Sequence, residues 1–370
     1  MNIGFEAKRV YHNTTGLGNY SRDLVRILQR YAPQNHYFLY NPKATKKILF
    51  ENPGPKVQEK KPSGAFYSFF SNLWRRFGII SDLKRDQIDV FHGLSGELPV
   101  GLDKAGMKSV VTIHDVLFLR YPEFYSFIDR NIYYRKFKHA AEAADCVIAI
   151  SEQTKRDIVQ YLGIPESKIT VVYQGCHQAF KERYSTTQKE ALIKKYQLPK
   201  QFILNVGTIE ARKNILVAVK ALKNIDTTLV IVGRKTAYSK EILTFIAQNN
   251  LDKKVIFLAG LSPKELATLY QLADLFIYPS LFEGFGIPII EALFSNTPVI
   301  TSIGSCFPEA GGPSSCYINP TSIDEVAEAI RKILGDKALQ QKMVEDGNAY
   351  AQKFTDETIA KNLLKVYQAL

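Results

Sequence analysis

The chain has 370 residues, 46% of them hydrophobic and 23% charged, a length that suits two domains and a balance that excludes intrinsic disorder, collagen-like repeats and a pure coiled coil. The formal charge is +12 and uneven: residues 1–185 hold 27 Lys or Arg against 18 Asp or Glu, residues 186–370 hold 21 against 18. A basic N-terminal half points to an anionic partner (membrane headgroups, nucleic acid or a phosphorylated substrate) or to solubility alone.

Short β-branched runs recur along the chain, each followed by Gly, Ser or Asp and then a helical pattern. In the first half, strands are predicted at Ile3–Glu6, Tyr37–Tyr40, Val90–His92, Ser109–His114, Cys146–Ile150 and Ile169–Tyr173. In the second half they are predicted at Phe202–Val206, Thr228–Val232, Val255–Leu258, Leu275–Tyr278, Pro298–Thr301 and Cys316–Ile318. Helical patterns fall between them, as at Asn19–Tyr31, Gln153–Tyr161, Ile215–Lys223, Lys240–Gln248, Pro263–Leu272 and Ile287–Phe294. Such alternation predicts parallel sheets covered on both faces, and twelve strands divide better into two sheets of about six than into one.

The seam is expected near residues 176–200, where the chain turns Lys-, Gln- and Ser-rich before a new strand. A final helical pattern, Thr358–Leu370, follows no strand and is free to pack on either domain. Residues 43–88 interrupt the first domain with Lys and Pro and with the aromatic cluster FYSFFSNLWRRFG. Phe66, Phe69, Phe70, Leu73, Trp74 and Phe77 recur there at helical spacing beside Arg75 and Arg76. That pattern fits a membrane interface, a lipid-linked acceptor, or simply a helix packed on its own domain.

Cys146, Cys176, Cys306 and Cys316 form no C-x-x-C spacing, so no zinc ribbon or thioredoxin-like motif is expected, and Cys146 reads as core. The low count fits a reducing cytoplasm. The N-terminal MNIGFEAKRV has no apolar core of a signal peptide. The longest charge-free stretch, between Glu291 and Glu309, is broken by Asn296, Pro298, Gly304 and Pro308 and does not read as a spanning helix.

The strongest chemical signal is SLFEGFGIPIIEALFSNTPVI from Ser280, just after a predicted strand and leading into a helix. Gly284, Phe285 and Gly286 would present backbone N–H groups before that helix, and Pro288 suits its first turn. Glu283 in the loop and Glu291 in the first turn would frame this anion site with carboxylates suited to paired sugar hydroxyls. A second signal, Gly207-Thr208-Ile209-Glu210-Ala211-Arg212-Lys213-Asn214, follows a strand whose carboxyl end is the usual ligand side of such a sheet. Arg212 and Lys213 there would meet a diphosphate, or would be a solvated pair.

Gly16-Leu17-Gly18 lies between the first strand and the first long helix, where backbone can approach a phosphate, but it is not G-x-G-x-x-G. A nicotinamide-binding reading therefore loses ground. His114-Asp115 ends a strand, where His114 would donate to a sugar hydroxyl or polarise a reacting group; a satisfied structural histidine is the alternative. His92 is a weaker candidate of the same kind.

Together these residues resemble the GT-B-fold retaining glycosyltransferases of family 4. The resemblance is carried by the E-x7-E pair Glu283/Glu291 and by the G-L-G stretch, the strand-end HD and the segment Ser151–Asp157. Val172–Gly175, the R-K after G-T, Gly233 and Pro308-Glu309-Ala310-Gly311 also fit. It implies two Rossmann-like doubly wound domains facing a central cleft. An acceptor domain at 1–178, joined by the C-terminal helix 356–370, would precede a donor domain at 179–355. It implies that Glu291 binds ribose, that Glu283 with the amides of Gly284, Phe285 and Gly286 binds the donor sugar, and that Arg212 and Lys213 neutralise the departing diphosphate. Gly16, Gly18, Gly207 and Gly233 would line the donor's path, and His114 would sit beside the sugar. The partners implied are a nucleotide-sugar donor and a glycan or lipid-linked acceptor, with no nucleic acid; peripheral membrane contact rests on the pattern in residues 43–88 alone and stays open. No cofactor beyond the donor and no metal is implied, in keeping with the lack of a D-x-D motif. Asn19 and Thr208 stand where many relatives carry Arg. The pattern His114, Asp115, Phe118, Pro122, Glu123 is similar to bacterial surface-polysaccharide mannosyltransferases, which favours GDP-mannose over UDP-hexose.

Two rivals stay open at this level. A glycosidase using Glu283 and Glu291 would need carboxylates about 5–10 Å apart across a sugar and would give the basic pair no purpose. A non-catalytic nucleotide-sugar or polysaccharide binder on the same fold would bind without turnover.

Overall fold

The computed structural model describes residues 1–44, 48–51 and 54–370; parts of the Lys- and Pro-rich stretch after residue 43 thus lie outside the described residues. The chain divides into two units, Met1–Gln174 with Asp356–Leu370, and Gly175–Thr355.

Among the described residues, unit 1 holds seven parallel strands: β1 (Asn2–Glu6), β2 (His36–Tyr40), β3 (Val57–Lys60), β4 (Val90–Gly93), β5 (Lys108–Ile113), β6 (Cys146–Ala149) and β7 (Ile169–Val171), ordered 3-2-1-4-5-6-7. Unit 2 holds six: β8 (Phe202–Val206), β9 (Thr228–Val232), β10 (Val255–Leu258), β11 (Leu275–Tyr278), β12 (Val299–Ser302) and β13 (Cys316–Ile318), ordered 10-9-8-11-12-13. Each sheet reverses its winding once, between β1 and β4 and between β8 and β11. Ligands of doubly wound sheets bind outside the carboxyl ends of the strands at such a switch point.

Strands buried on both faces explain the continuous apolar runs: Leu275, Phe276, Ile277 and Tyr278 are all buried. Helices supply apolar faces to match. In Gly16–Tyr31 the buried stripe is Leu24, Val25, Ile27 and Leu28. The terminal helix Asp356–Gln368 packs in unit 1, where Ile359 and Ala360 cluster with Ile27. Arg26 Nη1 pairs with Asp356 Oδ2 at 2.9 Å, and the Tyr367 hydroxyl meets His92 Nδ1 at 2.7 Å.

Four expectations need correction. Strand β3, inside residues 43–88, was hidden because only Val57 of VQEK is buried; it is a polar edge strand. Gly16-Leu17-Gly18 is not a loop before the helix but its first turn, and a short helix, Lys8–His12, precedes it. Glu291 lies in the second turn of Ile287–Phe294, because that helix begins at Ile287 behind Gly286 at φ +109°. The pattern at Gln153–Tyr161 divides into an α-helix, Glu152–Asp157, and a wider π-turn, Ile158–Leu162.

Candidate active site

The switch point of unit 2 brings two turns together. One follows β8 and carries Arg212 and Lys213; the other follows β11 and carries Glu283. Leu281 N–H donates to the Arg212 carbonyl at 2.9 Å, and Asn214 Nδ2 donates to the carbonyls of Pro279 and Pro320 at 3.2 and 2.7 Å. The Cys306 thiol donates to the Glu283 carbonyl at 3.2 Å.

The buried Glu283 carboxylate therefore sits between both cations. Its Oε2 lies 2.8 Å from Arg212 Nη1, and its Oε1 accepts from Lys213 Nζ. The Tyr278 hydroxyl donates to the same Oε1 at 3.0 Å and also takes a hydrogen bond from Lys213. Arg212 also donates through Nη1 to the Phe282 carbonyl and through Nη2 to Glu210, each at 2.7 Å. Burial alone would raise the Glu283 pKa, but Lys213 and Arg212 outweigh it and hold the carboxyl at about 2. Burial, reinforced by the Glu283 charge, pushes the Tyr278 phenol far up, so it stays a donor.

Beside this cluster lies a pocket of about 710 Å³, lined among others by Gly207, Thr208, Gly233, Arg234, Phe257 and Leu258. Gly207 joins the two: a Cβ built on it would lie 3.8 Å from Lys213 Cε. Gly233 is required by close approach, since a Cβ there would fall 1.8 Å from the Gly207 carbonyl oxygen. Lys235 Nζ lies 4.7 Å over the Phe257 ring at the pocket wall.

Among the expected residues, Gly207, Arg212, Lys213, Gly233 and Glu283 thus share one end of the unit 2 sheet. Gly284 and Gly286 continue from Glu283, while Phe285 between them is buried against Phe354, with ring centroids 5.6 Å apart. Glu291 is held by the Tyr270 hydroxyl, which donates to its Oε2 at 3.0 Å.

Gly16, Gly18 and His114 belong to unit 1. The Gly18 amide is already bonded to the Thr15 carbonyl at 2.9 Å and to Asn13 Oδ1 at 3.1 Å. His114 Nε2–H donates to the Leu94 carbonyl at 2.9 Å, so Nδ1 is the acceptor for Gln174 Nε2 at 2.9 Å. Burial lowers its pKa to about 4. The imidazole is neutral near pH 7, with both nitrogens satisfied inside unit 1.

Sequence reasoning missed Tyr278, Tyr270 and Gln174. A tyrosine closing a buried strand was the available signal for Tyr278, because a buried phenol needs a polar partner. Gln174 carried none.

Comparison with known proteins places this arrangement. Residues 14–179 match the model of "Glycosyltransferase Family 4", and residues 188–350 match "Glycosyl transferases group 1". The chain belongs to the family 4 (group 1) glycosyltransferases, GT-B-fold enzymes that use nucleotide-sugar donors with retention. It is 26% identical over its full length to the whole of O-antigen chain mannosyltransferase B of Escherichia coli. It is 32% identical to O-antigen chain mannosyltransferase RfbU of Salmonella typhimurium over 61% of each chain. The structure of a sucrose-phosphate synthase from Thermosynechococcus elongatus superposes with a TM-score of 0.76 at 21% identity, covering 100% of this chain and 98% of that one; this likeness concerns the fold.

Proposed function

We propose that the chain transfers a hexose, with mannose from GDP-mannose first and a UDP-hexose second, to a glycan or lipid-linked acceptor in cell-surface polysaccharide assembly. Unit 2 is the donor side and unit 1 the acceptor side in this reading. The observation that carries it is Glu283, held between Arg212 and Lys213 at the carboxyl ends of β8 and β11 beside a pocket of about 710 Å³. That volume suits a nucleoside. Kinship to O-antigen mannosyltransferases supports mannose as the sugar. Four free thiols fit a cytoplasmic location.

The cluster of Glu283 with Arg212 and Lys213 fits an exchange of partners. Glu283 neutralises the two cations until a diphosphate takes them over, and its carboxylate then turns to the sugar hydroxyls. As the glycosidic bond breaks, charge grows on the diphosphate, and preorganised Arg212 and Lys213 stabilise it where it develops. Glu291 and the amides near Gly284, Phe285 and Gly286 bind ribose and sugar. Gly16 and Gly18 let the backbone of unit 1 approach the donor phosphates. His114 acts at the sugar only if Gln174 releases Nδ1; otherwise it shapes that strand end.

A thermal-shift screen of GDP, UDP, ADP and TDP and their hexose conjugates, without added metal, tests the donor side. A shift with GDP compounds, lost in Glu291→Ala, is expected. A shift with no transfer to any glycan would favour a non-catalytic binder, and no shift at all would remove the donor reading.

A further inference from the structure

Unit 1 carries an apolar surface that its own fold leaves uncovered. Phe66, Phe69 and Phe77 are exposed on the segment after β3, with Phe69 at 83%. Phe127, Ile128 and Ile132 are exposed at the start of the helix Phe127–Ala143, with Phe127 at 74%. The first segment is anchored, not loose. Trp74 is fully buried and donates its indole N–H to Asp82 Oδ2 at 2.7 Å, and Val100 N–H donates to the Arg76 carbonyl at 2.8 Å.

The two stretches are tied to each other. Glu97 pairs through Oε2 with Arg75 Nη2 at 2.9 Å and through Oε1 with Lys136 Nζ at 2.7 Å. Arg75 Nε also reaches Glu6 Oε1, at the end of β1, at 2.8 Å. The surface thus adjoins the carboxyl ends of β1 and β4, the switch point of the unit 1 sheet.

Charge decides what covers it. Residues 60–78 contain Lys60, Lys61, Arg75 and Arg76 and no acidic residue; residues 127–139 contain Arg130, Arg135, Lys136 and Lys138 against Asp129 alone. Arg76 lies 5.2 Å from the Phe77 ring centroid and Arg130 5.9 Å from that of Phe127, so cations flank the exposed rings. A second copy of the chain would set these cations against one another. An anionic lipid surface offers hydrocarbon to the rings and phosphate to the cations.

We propose that this face of unit 1 docks on the anionic surface of a phospholipid bilayer, the rings entering the boundary between headgroups and acyl chains and the flanking Arg and Lys meeting lipid phosphates. Among the described residues no helix is long and apolar enough to cross a membrane, so the contact is peripheral. Docking would hold the carboxyl end of the unit 1 sheet near the lipid, where a lipid-linked acceptor presents its sugar; that consequence rests on the transferase reading, and the docking does not.

The test is co-sedimentation of the full chain with vesicles of phosphatidylcholine alone or with about 30% phosphatidylglycerol, at about 0.05 and 0.5 M salt. Strong, salt-sensitive binding to the anionic vesicles is expected, at least about tenfold weaker without phosphatidylglycerol. Phe69→Ser/Phe127→Ser should reduce partition about tenfold or more with its circular dichroism and melting temperature unchanged, since both side chains are exposed. Absence of binding, equal binding to both vesicles, or wild-type binding by the double variant would overturn the proposal. So would a lipid-free dimer, seen in sedimentation velocity, that the double variant dissolves. Neither donor nor acceptor is present, so failure here leaves the transferase reading standing, and failure of that reading leaves this one.

Discussion

Replacing Glu283 by Gln removes the one charge shared by Arg212 and Lys213 while keeping nearly the same volume. The carboxyl is held at about 2 against an ordinary 4.5. At about 1.4 kcal/mol per unit, that depression is worth roughly 3 kcal/mol of folding free energy at neutral pH. Breaking a buried ion pair from one side typically costs about 3–5 kcal/mol, which agrees. For a domain of this size the melting temperature should fall by about 6–12 °C. Thermal and urea denaturation at pH 7 measure it. Because the folded pKa is depressed, the wild-type advantage is present above about pH 4.5 and fades as pH falls toward 2. The variant should lack this acid limb. Inorganic pyrophosphate should stabilise Glu283→Gln more than wild type, since it no longer competes with the carboxylate for the two cations. A variant that melts within about 1 kcal/mol of wild type, or pyrophosphate acting equally on both, would refute the ion-pair argument.

Arg212→Ala and Lys213→Met should each lower kcat about 100-fold while changing donor KM far less; weaker donor binding with kcat intact would remove their role at the leaving group. Gly233→Ala places a methyl 1.8 Å from a backbone carbonyl, so a loss of about 2–4 kcal/mol is expected in urea melts. Burial lowers the pKa of His92 to about 3 and of His114 to about 4, so the unfolded imidazoles take protons first. Stability should accordingly decline as pH drops below 6.5 and continue to fall toward 4 and 3. His92→Gln should make that decline shallower by up to one proton between pH 6 and 4; an unchanged slope would mean His92 titrates normally.

How much was legible in advance differs by element. Strand Leu275–Tyr278 was readable to the residue because a strand buried on both faces must be a short, nearly continuous apolar run, and Phe202–Val206 was too, although the buried Asn205 interrupts it. Strand β3 was not, because an edge strand buries so little that its pattern carries no period. The glycine positions were readable as turns and close approaches, but the helix expected from Asn19 begins at Gly16, since a helix start depends on what its first amides bond. Residues 283–291 and the pair Arg212, Lys213 were each readable as motifs.

Their relation was not. The local chain determined that a carboxylate, a guanidinium and an ammonium each end a strand-to-helix turn. Strand order then decided that the turns after β8 and β11 are neighbours, which puts Lys213 and Glu283, 70 residues apart in sequence, in one hydrogen-bonded cluster with Tyr278. The same holds for His114, whose chemistry in isolation is open and whose neutral, doubly bonded state follows from Leu94 and Gln174. Local propensity and pattern act over a few residues. Protonation and pairing follow from burial and from charges brought close across the sheet, and only the folded chain supplies those distances.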